Sequence, residues 1–184
     1  MDIGADLYAR YLAGEKEAFA GIIKEYRDSL TYYINRTVNN LDTAEEIAAD
    51  TFAELIIHPG RYRKKCSFKT YLFMVAHGKT VDFVRHQAKI RTFEYSEVPQ
   101  ANVSYQSFEA ELMKKEDNAQ IAACLEKLNP GYREILHLIY FENASYEEAG
   151  EIMHKSTRQV ENMAYRARKV LKDILEEGGF TCEK

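Results

Sequence analysis

The 184-residue sequence contains no tryptophan, three prolines and three cysteines. Because proline interrupts helix interiors, its scarcity leaves room for long helices. Cys66, Cys124 and Cys182 are far apart and odd in number, so we expect free thiols, with Cys124 on a core face. No apolar run approaches the roughly 20 residues that span a bilayer, and no basic-then-apolar signal segment is present. We therefore expect a cytoplasmic protein with no membrane insertion of its own.

Sequence motifs for catalysis are also missing. We find no strand pattern, glycine-rich phosphate loop, H-E-x-x-H motif, nucleophile elbow or Cys/His cluster. His77 and Asp82 are five residues apart, a spacing that does not place them on one face of a helix. The sequence predicts no catalytic residue, no metal site, no cofactor and no enzyme activity.

Charge is distributed unevenly along the chain, although the net charge is only −4. Residues 1–60 contain five basic and eleven acidic side chains, whereas residues 61–91 contain nine basic side chains and one acidic one, Asp82. A basic block within an acidic chain indicates a polyanion at one place and a basic or mixed-charge partner elsewhere.

Apolar residues recur at the three-and-four spacing of helices along most of the chain. They predict helices over 5–12 and 16–38, a third capped by Asp42 or Thr43 that ends near Ile57, and a fourth from Ser67 to about His86. Residues 91–106 lose this period and predict a flexible linker. A helix from Ser107 and one over 131–142 follow. We therefore expect an all-α chain with one helical domain at 1–90, a second at 107–177, and a tail at 178–184.

Two capping boxes, Ser145 with Glu148 and Ser156 with Gln159, lie eleven residues apart. They predict a short helix, a turn at 153–155 and a longer helix, with the small residues Ala149 and Gly150 where the two helices would cross. This layout is typical of a helix-turn-helix, whose second helix enters the DNA major groove. The alternative is an ordinary pair of helices with a solvated polar face.

Aromatic residues are interleaved with cations in the basic block. Lys69, Phe73 and His77 recur every four residues, with Tyr71 beside them. Rings that stack on bases, next to cations that follow phosphates, favour single-stranded nucleic acid. A basic surface helix with core aromatics is the alternative.

The third predicted helix carries an acidic outer face of Glu45, Glu46, Asp50 and Glu54. Such charges are often simply solvated, but as a set they form a plausible docking surface for a basic partner.

Three blocks of the sequence resemble the extracytoplasmic-function (ECF) sigma factors of bacterial RNA polymerase. E-E-I-A-A-D-T-F (45–52) is similar to the polymerase-docking helix of that family, and S-F-K-T-Y-L-F-M-V-A-H-G-K-T-V-D-F-V-R (67–85) to the helix that opens the minus-ten element. Residues 128–148, continuing to Y-R-A-R at 165–168, resemble the minus-thirty-five-binding domain. The family usually has Trp at position 71, Arg-Asn at 77–78, and basic residues at 161 and 163, where this chain has Tyr, His-Gly, Glu and Met.

The resemblance implies a promoter-specificity subunit that binds core RNA polymerase and helps to open the duplex, while catalysis stays with the polymerase. It implies minus-ten contacts from Arg61, Arg63, Lys64, Lys65, Lys69, Tyr71, Phe73, His77, Lys79 and Arg85. It implies minus-thirty-five contacts from Thr157, Arg158, Gln159, Glu161, Asn162, Tyr165, Arg166, Arg168 and Lys169. Polymerase contacts are expected from Glu46, Ile47, Asp50, Thr51, Phe52 and Glu54.

The same resemblance implies an anti-sigma factor as partner, and a nucleoid-associated protein that this partner can hold at the membrane. Two other functions are left open by the residues themselves. One is a stand-alone dimeric helix-turn-helix regulator, which would bind duplex DNA tightly without polymerase. The other is a protein-binding helical adaptor, which would not bind DNA and would leave the basic block unexplained.

Overall fold

A computed structural model describes residues 2–93 and 123–177, and these residues form helices and loops without a strand. The helices are α1 (Ile3–Leu12), α2 (Lys16–Val38), α3 (Leu41–Ile57), α4 (Phe68–Phe93), α5 (Pro130–Tyr140), α6 (Tyr146–Met153) and α7 (Thr157–Glu177), with a short helical segment at 123–126 before α5. The all-α fold class is confirmed. Within the described residues, every helix is too short or too polar to be a membrane span.

The ends of α2 and α3 follow from local backbone chemistry. Asn39 takes the left-handed conformation (φ 60°) and ends α2, a position that asparagine tolerates better than most residues. Asn40 is then extended, and its side chain accepts a hydrogen bond from the backbone N–H of Thr43 at 2.9 Å. The predicted cap at Asp42 or Thr43 was therefore wrong, since Asn40, two residues before Asp42, accepts from a free N–H group of the first turn.

The start of α4 is capped from two places in the sequence. The hydroxyl of Ser67 accepts from the backbone N–H of Thr70, as expected, and the carboxylate of Asp2 accepts from the backbone N–H of Phe68 at 2.7 Å. Asp2 also caps α1 through the backbone N–H of Ala5. Helix α4 extends to Phe93, beyond the predicted end at His86 and into the segment assigned as linker. The rest of that linker, the tail and most of the helix predicted from Ser107 lie outside the described residues; the end of that helix is described and is helical at 123–126.

The first four helices enclose a core of large side chains, of which Tyr8, Ile22, Leu30 and Phe68 are almost completely buried. The Tyr8 hydroxyl donates to the carbonyls of Leu55 (2.9 Å) and Pro59 (3.2 Å), which fixes the end of α3 against α1. Burial is the main reason that the pKa of Tyr8 rises to about 12.

The C-terminal helices form the second part of the core. Asn129 caps α5 by accepting from the backbone N–H of Tyr132, and Pro130 occupies the first turn, as predicted. Helix α5 ends at Tyr140, two residues before the expected Glu142, and Asn143 then turns the chain with φ 54°. Cys124 is buried and Cys66 partly buried, both as free thiols. The third cysteine lies outside the described residues.

The two helical parts pack against each other. Helix α2 contacts α5 and helix α4 contacts α6, and the buried side chains form one continuous cluster. Lys69, Thr70 and His77 of α4 bond with Glu142, Glu148 and Glu134, so this face of α4 is turned toward the C-terminal helices.

Candidate nucleic-acid interface

The basic loop before α4 borders an open cleft of about 530 Å³. Helix α4 supplies one wall of the cleft, and the loop and α3 supply the other. The residues that line it are Glu54, Arg61, Arg63, Tyr71, Met74, Val75, Gly78, Lys79 and Asp82. The cleft therefore combines an aromatic ring with three cations, the chemistry expected for an unpaired nucleic-acid strand.

Glu54 lies within this cleft rather than on a separate docking face. Its carboxylate forms a short ion pair with Arg61, and lies 3.6 Å from the Lys79 ammonium and 3.7 Å from His58. Glu54 therefore neutralises part of the positive charge and fixes the orientation of Arg61. The contact of Glu54 with polymerase expected from the sequence stays a prediction.

The loop cations outside the cleft face solvent. Lys64 and Lys65 are exposed, and Lys64 adopts a left-handed backbone (φ 57°) that is uncommon for a residue with a side chain. Arg85 is also exposed and pairs with Asp82 one turn earlier, at 3.9 Å. These three side chains can reach a bound polyanion without any rearrangement of the domain.

Three of the predicted minus-ten residues lie on the other side of α4. Phe73 is fully buried and packs against Tyr33, while Lys69 and His77 bond with the C-terminal helices. In this arrangement Phe73 cannot stack on a base, so its side chain acts as a core residue here. The four-residue spacing identified one face correctly, but it could not reveal what covers that face.

The helix-turn-helix forms as the two capping boxes predict. Ser145 and Glu148 make both reciprocal bonds at the start of α6, and Ser156 and Gln159 do the same at the start of α7. A Cβ at Gly150 would lie 2.7 Å from the Lys155 carbonyl oxygen, so only glycine allows this close turn.

Helix α7 presents its predicted reading face to solvent. Val160, Ala164 and Ala167 are buried, and all nine side chains predicted to contact the minus-thirty-five element are exposed; Tyr165, for example, is 66% exposed. Gln159 has a second role, because its Oε1 accepts from the backbone N–H of Ser156 at 2.9 Å. A bidentate contact with adenine would need that same amide oxygen.

Arg168 is held in place by two tyrosines. Its guanidinium donates to the hydroxyls of Tyr146 (3.2 Å) and Tyr140 (3.4 Å), and these hydrogen bonds raise the pKa of Arg168 further above its usual value. The side chain is therefore a permanent cation with a restricted orientation, a property that suits a phosphate contact.

The predicted polymerase-docking residues divide by burial. Ile47, Thr51 and Phe52 are at most 7% exposed and belong to the core of the first domain, and the Thr51 hydroxyl donates to the carbonyl of Ile47. These three side chains are therefore inaccessible in this structure, and their expected contacts with polymerase stay a prediction. Glu46 and Asp50 remain exposed on α3.

Residues that the sequence did not identify join the two parts of the molecule. Glu134 and His137 on α5, and Glu142 after it, contact α2 and α4. Burial lowers the pKa of His137, although a hydrogen bond with Glu142 opposes this shift. Burial would raise the pKa of Glu142, but its bonds with His137 and Lys69 prevail and lower it. The only sequence signal was that polar residues interrupt the apolar stripe of α5.

Among the described residues, no three His, Cys, Asp or Glu side chains converge on a possible metal position.

Comparison with known proteins relates both halves of this geometry to one family. Residues 22–90 match the model of Sigma-70 region 2, and residues 118–171 match that of Sigma-70, region 4. The sigma factor YlaC of Bacillus subtilis (strain 168) is 26% identical over 161 residues, which are 85% of this chain and 91% of that protein. The ECF sigma factor SigW of the same organism is 26% identical over 175 residues, which cover 89% and 92%.

A solved structure agrees in fold. The sigma factor RpoE in complex with the anti-sigma factor NepR, from Bartonella quintana, superposes with a TM-score of 0.72 at 18% identity, covering 86% of this chain and 96% of that one. The region 2 match contains the basic cleft and the region 4 match contains the exposed face of α7. The chain belongs to the sigma-70 family of RNA polymerase sigma factors, within its ECF group.

Proposed function

We propose that this promoter-specificity subunit uses the basic cleft for the melted minus-ten strand and the exposed face of α7 for the duplex minus-thirty-five element. The observation that carries the proposal is that one chain presents two separate polyanion-compatible surfaces, each within a different sigma-70 region. One surface has an aromatic ring in a cleft, and the other has a helix that projects from a tight turn. A stand-alone dimeric regulator is not favoured, because such a regulator would not need the Sigma-70 region 2 that residues 22–90 match.

The cleft would hold the unpaired strand through charge and stacking. Arg61, Arg63 and Lys79 supply cations around Tyr71, with Lys64, Lys65 and Arg85 at the edge. Stacking of a base on an aromatic ring is worth roughly 1–3 kcal/mol, which offsets part of the cost of opening the duplex. The ion pair with Glu54 keeps the Arg61 side chain oriented until a phosphate of the strand competes for the Arg61 guanidinium.

Helix α7 would read duplex DNA from its N-terminal half. Arg158, Glu161 and Asn162 are placed for base edges, since arginine suits guanine, asparagine suits adenine and a carboxylate accepts from cytosine. Arg166, Arg168 and Lys169 lie further along the helix as phosphate contacts. We give Gln159 a capping role first, because its amide oxygen already holds the helix start.

Polymerase docking is proposed for the exposed acidic face of α3. Glu46 and Asp50 remain available there, beside Glu45, which forms a loose 3.5 Å pair with Arg27. Complementary charge of this kind governs encounter and register more than affinity. Catalysis would remain with the polymerase, and the protein itself would not be an enzyme.

We place the protein in the cytoplasm, near the nucleoid. An anti-sigma partner is supported by the fold relative that was crystallised with NepR. Such a partner would compete for the surfaces that bind polymerase and DNA, and a membrane-bound partner would hold the sigma factor at the membrane.

The test is in vitro transcription from a promoter library with core RNA polymerase, with and without this protein. We expect transcription start sites that appear only with the protein. The promoter sequences at these sites would identify the minus-ten and minus-thirty-five elements. If the pure protein neither binds core polymerase nor adds start sites, the proposed function fails.

Two substitutions separate the two surfaces. Arg158→Ala should change the minus-thirty-five preference by about 1–3 kcal/mol at one position. Lys65→Ala should reduce duplex opening at all promoters to the same extent. It should also reduce by about 1 the steepness with which the logarithm of the DNA-binding constant falls with the logarithm of salt concentration. Lys172→Ala and Lys24→Ala, which remove exposed cations from α7 and α2, are the matched controls. If Arg158→Ala and Lys65→Ala merely lower the affinity equally for all sequences, the assignment of α7 to the minus-thirty-five element and of the cleft to the minus-ten strand is contradicted.

A further inference from the structure

Helix α1 holds the first end of the basic loop, which joins α3 to α4 over residues 58–67. Tyr8 of α1 is only 2% exposed, and its hydroxyl donates to the carbonyls of Leu55 at 2.9 Å and Pro59 at 3.2 Å. Leu55 lies in the last turn of α3, and Pro59 is the second residue of the loop. One side chain of α1 therefore fixes the point at which the loop leaves α3.

The second end of the loop is held from the start of the same helix. One carboxylate oxygen of Asp2 accepts from the backbone N–H of Ala5 at 3.0 Å and caps α1, and the other accepts from the backbone N–H of Phe68 at 2.7 Å. Phe68 is the first residue of α4, so Asp2 caps α4 from 66 residues away in the sequence. Hydrogen bonds from a backbone N–H to a carboxylate are among the stronger ones in proteins.

Gly4 lets α1 lie close against the start of α4. It is buried, and a Cβ at this position would lie 2.5 Å from the Cδ1 atom of Phe68 and 2.5 Å from the hydroxyl oxygen of Tyr26. The Phe68 ring is fully buried and has no room to move aside. Only glycine therefore permits this approach, which brings Asp2 within reach of α4.

The middle of the loop packs on these same contacts. The centroid of the Tyr62 ring lies 6.0 Å from that of Tyr8 and 5.3 Å from that of Phe68. The Tyr62 hydroxyl donates to the carbonyl of Cys66 at 3.2 Å, which closes this part of the loop on itself. The cations within or next to the closed segment are Arg61, Arg63, Lys64 and Lys65.

We propose that α1 positions the basic loop for the unpaired strand, with Asp2 and Tyr8 as positioning residues that act through the loop. The inference rests on the proposed assignment of the loop cations to the melted minus-ten strand. Helix α1 lies outside residues 22–90, which match Sigma-70 region 2, and the described residues that line the cleft belong to α3, α4 or the loop. Because a strand binds only those molecules whose loop is correctly placed, release of one end lowers the apparent affinity in proportion.

Asp2→Ser separates this role from the local cap of α1. Serine still caps the start of a helix, but its single, shorter oxygen cannot bond both Ala5 and Phe68. In hydrogen exchange followed by NMR, the Phe68 amide of Asp2→Ser should exchange at least about tenfold faster than in wild type. The Thr43 amide, which donates to the side chain of Asn40, is the reference and should keep its rate. An unchanged Phe68 rate would overturn the proposal.

Strand affinity tests the positioning itself. Folded Asp2→Ser should bind a fluorescent pool of random single-stranded 20-nucleotide DNA about tenfold more weakly, as expected if the loop is correctly placed in about a tenth of the molecules. Loss of an acidic charge alone would instead favour DNA binding. Asp42→Ser removes an exposed carboxylate from the first turn of α3 and is the matched control, expected to bind at least as tightly as wild type. Faster Phe68 exchange without weaker binding than Asp42→Ser would overturn the proposal.

Tyr8→Phe releases the other end of the loop and is the second variant should Asp2→Ser not fold by circular dichroism. It keeps the ring and should weaken strand binding at least about threefold, and unchanged binding by folded Tyr8→Phe would contradict the proposal. Lys65→Ala separates this inference from the proposed function. If Lys65→Ala weakens strand binding but Asp2→Ser and Tyr8→Phe do not, only the positioning role fails. If none of the three weakens it, the assignment of the loop to the minus-ten strand fails as well.

Discussion

Gly78 lies in the interior of α4 and borders the basic cleft, and it is a glycine that the fold does not need. A Cβ built at this position meets no atom within 4 Å. Alanine is favoured over glycine in a helix interior by about 0.8–1.0 kcal/mol, because glycine loses more backbone entropy on folding. Gly78→Ala should therefore raise the free energy of unfolding by about 0.5–1 kcal/mol.

Gly150→Ala is the matched control with the opposite sign. Its Cβ would lie 2.7 Å from the backbone oxygen of Lys155, and backbone cannot move aside as a flexible side chain can. Overpacking of this kind costs about 1–3 kcal/mol, which exceeds the helix-propensity gain. The same substitution should thus stabilise one site and destabilise the other.

Urea unfolding followed by circular dichroism measures both effects. For a slope of about 2 kcal/mol/M, Gly78→Ala should raise the midpoint by roughly 0.3–0.5 M without changing the slope. A lowered midpoint for Gly78→Ala would refute the conclusion that this position is open. A raised midpoint for Gly150→Ala would refute the close approach in the helix-turn-helix turn.

Three further predictions concern the core, a helix cap and pH. Tyr8→Phe removes the hydroxyl that donates to the carbonyls of Leu55 and Pro59. It should lower the free energy of unfolding, measured with urea, by about 1–3 kcal/mol. An unchanged urea midpoint would show that water replaces those hydrogen bonds. Ser145→Ala should cost about 1 kcal/mol through loss of the α6 cap, and Ser145→Asp, which can still cap, should restore most of it. The folded-state pKa of both His137 and Glu142 is lowered, so each contributes stability above its unfolded pKa that is lost as the pH falls. The thermal midpoint should fall first below about pH 6.5 through His137 and again below about pH 4.5 through Glu142, and a midpoint that rises on acidification would contradict this sign.

Local signals predicted the elements whose stabilising contacts lie within a few residues. The capping boxes at Ser145 and Ser156 place both helices of the helix-turn-helix, because each box is complete within four residues. The end of α2 at Asn39 was equally local. The start of α3 was misplaced because several capping residues follow one another there, and only the extended backbone of Asn40 selects among them.

Contacts between distant parts of the chain were beyond the sequence patterns. Phe73 falls on a polar, cationic face by its spacing, yet it is buried and packs against Tyr33 of α2, which lies 40 residues earlier in the chain. Polymerase contacts were expected from Ile47 and Thr51, yet both are buried, because which side of α3 is covered depends on tertiary packing. The periodicity of a helix identifies its faces, but which of them is covered depends on the partner helices.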